Sequence, residues 1–192
     1  MEFFERLADR IAAVDSLVSV GLDPDPERLP AFLDAELPRF EFNRRVVEAT
    51  HEYAAAYKPN AAFYEDPDGW RALAATIECA HDHGVPVVLD AKRADIGNTA
   101  RQYARVLDDV DAITVNPYLG EDALDPFLDR EDAGVFVLCR TSNPGGADLQ
   151  NCELADGGRV YERVADLAAE WDRGNVGLVV GATAPAELRA VR

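Results

Sequence analysis

The chain has 192 residues, 48% of them apolar, and a formal net charge of −17 from 19 basic and 36 acidic side chains. That length is one domain's worth, roughly 100–200 residues, and the apolar fraction is that of a globular protein. No run of about 18 apolar residues predicts a membrane span, and the negative charge opposes binding to nucleic acid or to anionic membranes.

In chain order, MEFFERLADRIAAVD predicts an amphipathic helix, with Phe3, Phe4, Leu7, Ala8 and Ile11 at helical spacing. It carries acids and lacks a basic start, so it does not read as a signal peptide, and a cytoplasmic location is expected. Six strand-like runs follow: LVSVGL (17–22), AAYKPN (55–60), VPVVLDA (85–91), DAITVNP (111–117), GVFVLCR (134–140) and VGLVVGAT (176–183). Most are nearly continuous apolar stretches, the pattern of a parallel sheet covered on both faces. Helical spacing recurs between them. It links Trp70, Leu73, Ala74 and Ile77, then Ala100, Tyr103, Ala104 and Leu107, then Val160, Val164, Leu167, Ala168 and Trp171.

Alternating strands and helices predict an α/β fold, read as a single domain over 1–192. Polar residues gather just after the strands: Asp23, Lys58, Asn60, Asp90, Lys92, Asn116, Thr141, Ser142 and Thr183. Loading one end of every strand is the habit of the TIM (β/α)8 barrel. An open doubly wound sheet would instead open on a glycine-rich turn, and GLDPD has no G-x-G-x-x-G. A full barrel has eight units and about 250 residues. This sequence reaches Arg192 in the helix pattern after the sixth strand, so the expectation is an incomplete barrel of about six βα units, with strands seven and eight missing. The stretch TSNPGGADLQNCELADGG (141–158) is the longest loop signal, and a loop of that length is usually functional or mobile.

Of the 19 basic residues only Lys58 and Lys92 are lysines; the other 17 are arginines. Arginine keeps its proton near neutral pH, whereas a lysine can exchange one, so both lysines are candidates for proton chemistry. Residues two apart on a strand face the same way, which puts Asp90 and Lys92 on one side of the third strand's end. Lys58 ends the neighbouring second strand, about 4.8 Å across. Asp95 follows in the loop, Thr99 lies in the first turn of the next helix, and Asp23 closes the first strand. The residues alone leave two readings open: a charge-paired catalytic array, or a purely structural ion-pair network tying strand ends together. Cys79, Cys139 and Cys152 have no C-x-x-C spacing and predict reduced thiols. His51, and His81 with His83, lack partner ligands for a metal site. The acidic composition also suits a salt-rich cytoplasm, so a halophilic source is expected.

D-A-K-R-A-D-I-G-N-T (90–99) resembles the D-x-K-x-x-D-I-x-x-T signature of the orotidine 5′-phosphate decarboxylase family. VGLDPD (20–25), YKPNAAFYE (57–65) and LCRTSNPGGADLQ (138–150) resemble that family's other strand-end motifs, in order, in the form found in its longer bacterial and archaeal members. The resemblance covers essentially the whole chain. It implies a carboxy-lyase that needs no cofactor or metal and converts orotidine 5′-monophosphate to UMP and carbon dioxide. It implies Lys92 as proton donor to C6, Asp90 beside the substrate carboxylate holding Lys92, and Lys58 paired with Asp90 and reaching the ribose. Asp23 and Ser142 would bind ribose and base. Asp95 and Thr99 would complete the site of a second subunit, making a homodimer. The family grips phosphate with a glutamine after strand seven and an arginine after strand eight, regions beyond Arg192, so a fragment of a longer protein, either weakly active or catalytically inactive, is also expected. Two further alternatives share the motif or the lysines: a Mg²⁺-dependent sugar-phosphate enzyme of the same barrel superfamily, and a Schiff-base aldolase.

Overall fold

The computed structural model describes residues 2–33, 35–155, 157–183 and 185–192. Its elements alternate: α1 (Phe3–Val14), β1 (Ser19–Leu22), α2 (Pro38–Thr50), β2 (Ala56–Pro59), α3 (Pro67–Asp82), β3 (Val88–Arg93), α4 (Gly97–Ala104), β4 (Ala112–Val115), α5 (Glu121–Leu128), β5 (Gly134–Arg140), α6 (Val160–Trp171), β6 (Val176–Val180) and α7 (Pro185–Ala190). All six predicted strand runs form strands, and each is followed by a helix. No described helix is long and apolar enough to cross a membrane.

The chain divides into two compact units. The first holds residues 1–91 and 106–113, the second 92–105 and 114–192. In the first, β1 and β2 pair in parallel, with Gly21 opposite Lys58 and Leu22 opposite Pro59. Parallel bridges from Tyr57 to Val87 and from Asn60 to Asp90 then join β2 to the β3 run. Its core contains the fully buried Leu22, Val47, Tyr57, Tyr64, Val87, Leu89 and Ile113. A buried polar chain runs through it. Tyr64 Oη donates to the Leu22 carbonyl at 2.9 Å and accepts from Asn43 Nδ2 at 2.8 Å, and Asn43 Nδ2 also reaches Thr76 Oγ1 at 3.0 Å. Burial pushes the Tyr64 phenol well above its ordinary value, so it stays a donor to the strand end beside Asp23.

In the second unit, β5 and β6 pair in parallel from Val135–Val176 to Leu138–Val179, then slip so that Arg140 faces Val180. The core is built from Leu124, Phe127, Leu128, Val135, Val137 and Cys139, packed with Tyr161, Ala168 and Trp171 of α6. Burial pushes the Cys139 thiol up to about 11, and all three cysteines are free thiols.

Three helices start where the sequence marks them. α3 begins at Pro67 behind Asp66, whose carboxylate accepts from Gly69 N–H at 2.8 Å. α1 and α6 both begin with a glutamate three residues in that accepts the N-cap N–H. Gly69 sits so close to the Tyr64 carbonyl that an added Cβ would lie 2.5 Å from its oxygen, so this helix start tolerates only glycine.

Candidate active site

The predicted residues fall into both units: Asp23, Lys58 and Asp90 in the first, Lys92, Asp95, Thr99 and Ser142 in the second. In the first unit, strand pairing brings Lys58 and Asp90 together. Lys58 Nζ donates to Asp90 Oδ2 at 3.2 Å, with the lysine side chain 37% exposed and the aspartate 12%. A carboxylate that buried is stable only because a cation and hydrogen bonds satisfy it. Asp23 follows β1 and is exposed. It lines a cavity of about 300 Å³ together with Asp25, Arg28 and Phe42. The turn beyond it is held by Asp25, whose side chain accepts from Glu27 N–H at 3.0 Å. The unit's larger cavity, about 890 Å³ along α3, includes none of the predicted residues.

In the second unit, Lys92 departs from strand geometry. Its φ is +48°, so the extended backbone that the period-two rule presumes ends at Lys92 itself. Lys92 is exposed. Its backbone N–H donates to the buried Thr114 Oγ1 at 2.9 Å. Asp95 Oδ1 accepts from the next amide, Ile96 N–H, at 2.8 Å. Thr99 is exposed in the first turn of α4, whose N-cap is Ile96; Thr99 therefore does not serve as the helix cap.

Ser142 is exposed just past β5, and its loop is pinned from two directions. Gly181 donates its N–H to the Arg140 carbonyl at 2.7 Å. A Cβ on Gly181 would sit 2.9 Å from Ser142 N, Cα and Cβ. On the other side, the Gln150 side chain binds Thr141: Thr141 N–H donates to Oε1 at 2.9 Å, and Nε2 donates to Thr141 Oγ1 at 2.9 Å. Gly146 fits inside this clamp, where a Cβ would lie 2.6 Å from Arg140 Nη1. Thr141 and Gln150 also line a cavity of about 330 Å³ with Asn116, Tyr118 and Leu149.

Other polar residues at strand ends turn out to shape the backbone. Asn60 Oδ1 accepts from Ala62 N–H at 3.2 Å and Asn116 Oδ1 from Tyr118 N–H at 3.0 Å, each starting a short 3₁₀ turn. Thr114, Gln150 and Gly181 shape the site through contacts that residue type and spacing alone do not mark. A threonine inside a wholly apolar strand run was the one signal available for Thr114.

Residues 16–192 match the orotidine 5′-phosphate decarboxylase / HUMPS family. The orotidine 5′-phosphate decarboxylase of Halorubrum lacusprofundi is 73% identical over 194 residues, covering all of this chain and 70% of that protein. That of Haloarcula marismortui is 69% identical, covering all of this chain and 72% of that protein. Among solved structures, the OMP decarboxylase of Leishmania donovani superposes with a TM-score of 0.87 at 46% identity, over the whole chain and 75% of the other. Parallel strands each followed by a helix, six times over, are the βα units of that family's TIM barrel. The chain belongs to the orotidine 5′-phosphate decarboxylase / HUMPS family.

Proposed function

We propose that the chain decarboxylates orotidine 5′-monophosphate to UMP, the closing step of UMP synthesis. The observation that carries this reading is the largely buried Asp90 paired with Lys58, in a chain whose near relatives bear the decarboxylase name. The bond from C6 to the carboxylate breaks, its electron pair stays on C6, and carbon dioxide leaves. Lys92 stabilises that developing charge and donates a proton to C6, then regains one from solvent. Asp90 acts beside the substrate carboxylate, where like charge raises the ground state, and holds Lys58 towards the ribose. Asp23 accepts from a ribose hydroxyl and Ser142 bonds the base.

Lysine supplies both the charge and the proton in this scheme, so it runs without cofactor or metal. Asp95 and Thr99 serve the site of a second copy, making the working form a homodimer in a salt-rich cytoplasm. The acidic composition supports the last point, since its self-repulsion is relieved by salt.

The test is UMP formation from orotidine 5′-monophosphate, with and without a chelator. Lys92→Ala should lower turnover by about 10²–10⁴-fold while UMP still binds; an unaffected rate removes Lys92 from the reaction. Metal-dependent turnover of a keto-sugar phosphate, with none on the nucleotide, would assign the chain to that chemistry instead. Mixing Lys92→Ala with Asp95→Ala subunits should restore activity if the site is shared between copies. Unfolding in dilute buffer and in molar salt tests the adaptation, and equal stability in both would refute it.

A further inference from the structure

Among the described residues, Asp15 and Lys92 are the non-glycine residues with positive φ. Asp15 is the C-cap of α1, where a left-handed residue is ordinary. Lys92 has no such excuse: it lies inside a strand, its φ is +48°, and Arg93 continues the strand beyond it. A long side chain holds that conformation only where its surroundings impose it, and residues held this way cluster at functional sites.

The surroundings are visible. Strand β4 is buried at all four positions, and three of them, Ala112, Ile113 and Val115, are apolar. The fourth is Thr114, 3% exposed. Valine has the same shape without a hydroxyl whose burial must be compensated. Here the hydroxyl oxygen accepts the Lys92 N–H at 2.9 Å. One residue on, Asn116 N–H donates to the Arg93 carbonyl at 2.9 Å. The Arg93 guanidinium lies over the Tyr103 ring at 4.5 Å. Lys92 is thus bracketed, with its own amide held by Thr114 and the following residue held at its carbonyl by Asn116 and at its guanidinium by Tyr103.

We infer that Thr114 is a positioning residue for the decarboxylation: its hydroxyl holds the left-handed turn at Lys92 and so sets the direction in which the ammonium leaves the backbone. This rests on the reading of Lys92 as proton donor. Thr114 acts through the Lys92 amide, from which its hydroxyl accepts a hydrogen bond.

Thr114→Val, Thr114→Ser and Thr114→Ala separate hydroxyl from packing. Steady-state turnover of orotidine 5′-monophosphate, thermal unfolding and hydrogen exchange at the Lys92 amide are measured on each. Thr114→Val should keep its unfolding temperature and its KM, lose at least about tenfold in kcat, and exchange the Lys92 amide faster. Thr114→Ser should restore both kcat and amide protection. A Thr114→Val enzyme with wild-type kcat, or with an unchanged Lys92 amide, overturns the inference. If Thr114→Val does not fold, equal kcat and equal amide protection in the Ser and Ala variants overturn it, since only serine keeps the hydroxyl. A Lys92 amide as protected in Thr114→Val as in wild type overturns the inference whatever the turnover. Lys92→Ala is run alongside. Wild-type turnover there defeats the proton-donor reading, whereas an inactive Lys92→Ala with a normal Thr114→Val defeats this inference alone.

Discussion

The Gln150 side chain grips Thr141 from two sides, accepting its backbone N–H and donating to its hydroxyl, both at 2.9 Å. A side-chain amide used this way imitates a strand partner for a residue that has just left the sheet. Gln150→Ala removes both bonds, each worth about 0.5–1.5 kcal/mol net. The loop bearing Ser142 should loosen, raising KM for the nucleotide by roughly tenfold with a smaller change in kcat. Gln150→Glu keeps the acceptor facing Thr141 N–H and the Arg140 guanidinium, so it should fall between the two. Steady-state kinetics on the three proteins checks the order.

Gly181 makes the complementary prediction. A methyl group there meets the Ser142 backbone at 2.9 Å, and backbone cannot swing aside as a flexible side-chain end can. Gly181→Ala should lower stability by about 1–3 kcal/mol and weaken nucleotide binding together with it. Gly21→Ala is the control, because nothing lies within 4 Å of the methyl it adds; calorimetry should find that variant close to wild type.

Asp90 is 12% exposed and receives the Lys58 ammonium at 3.2 Å. Asp90→Asn keeps the shape and removes one of the two charges, so an ion pair becomes a weaker hydrogen bond from the Lys58 ammonium to a neutral amide, in a pair whose lysine is already partly screened by solvent. We expect a modest fall in unfolding temperature and a loss of turnover of at least about 10²-fold if the carboxylate acts on substrate. A fall in stability with turnover intact would mark the pair as structural, and paired melting and activity measurements tell these apart.

The pair His81–Asp111 sets a pH dependence. The Asp111 hydrogen bond, at 2.8 Å, raises the His81 imidazole above its ordinary 6.5 against the opposing effect of burial. For Asp111, burial is the largest influence and pushes upward. The bonds from His81, from Val87 N–H at 2.8 Å and from Arg6 at 3.0 Å outweigh it and hold the carboxyl below its ordinary 3.8. The histidine's contribution to stability is therefore complete below pH 6.5 and fades as pH climbs through its raised value. The aspartate's is complete above pH 3.8 and fades as pH falls through its lowered value. Wild type should exceed His81→Gln by the most between these limits, by under about 1 kcal/mol because the ring is partly exposed. Urea titrations at several pH values test the window.

Much of the fold was legible because buried parallel strands write themselves as apolar runs. The β5 run ends at the same residues in sequence and structure, Gly134–Arg140. α2 and α5 leave no comparable mark in the sequence. α2 buries only Asn43 and Val47, so it lacks an apolar stripe, and α5 has eight residues with Pro126 inside. For the site, residue type and spacing pointed to Lys58 and Asp90, which do meet. Spacing could not reveal the turn at Lys92, since alternation presumes an extended backbone. Nor could it reveal Gln150, whose partner lies nine residues back across a folded loop.

Asp111 locks the entrance to β3 through Val87 N–H, while Asp90 serves the far end of the same run. If Asp90 acts on substrate as proposed above, robustness and reactivity are lodged at opposite ends of one strand run. An engineer seeking a hardier version can rework the first end, around Arg6 and His81, and leave the chemistry alone. Inherited variation has the same latitude: changes there can accumulate under a new climate without the catalyst having to be reinvented.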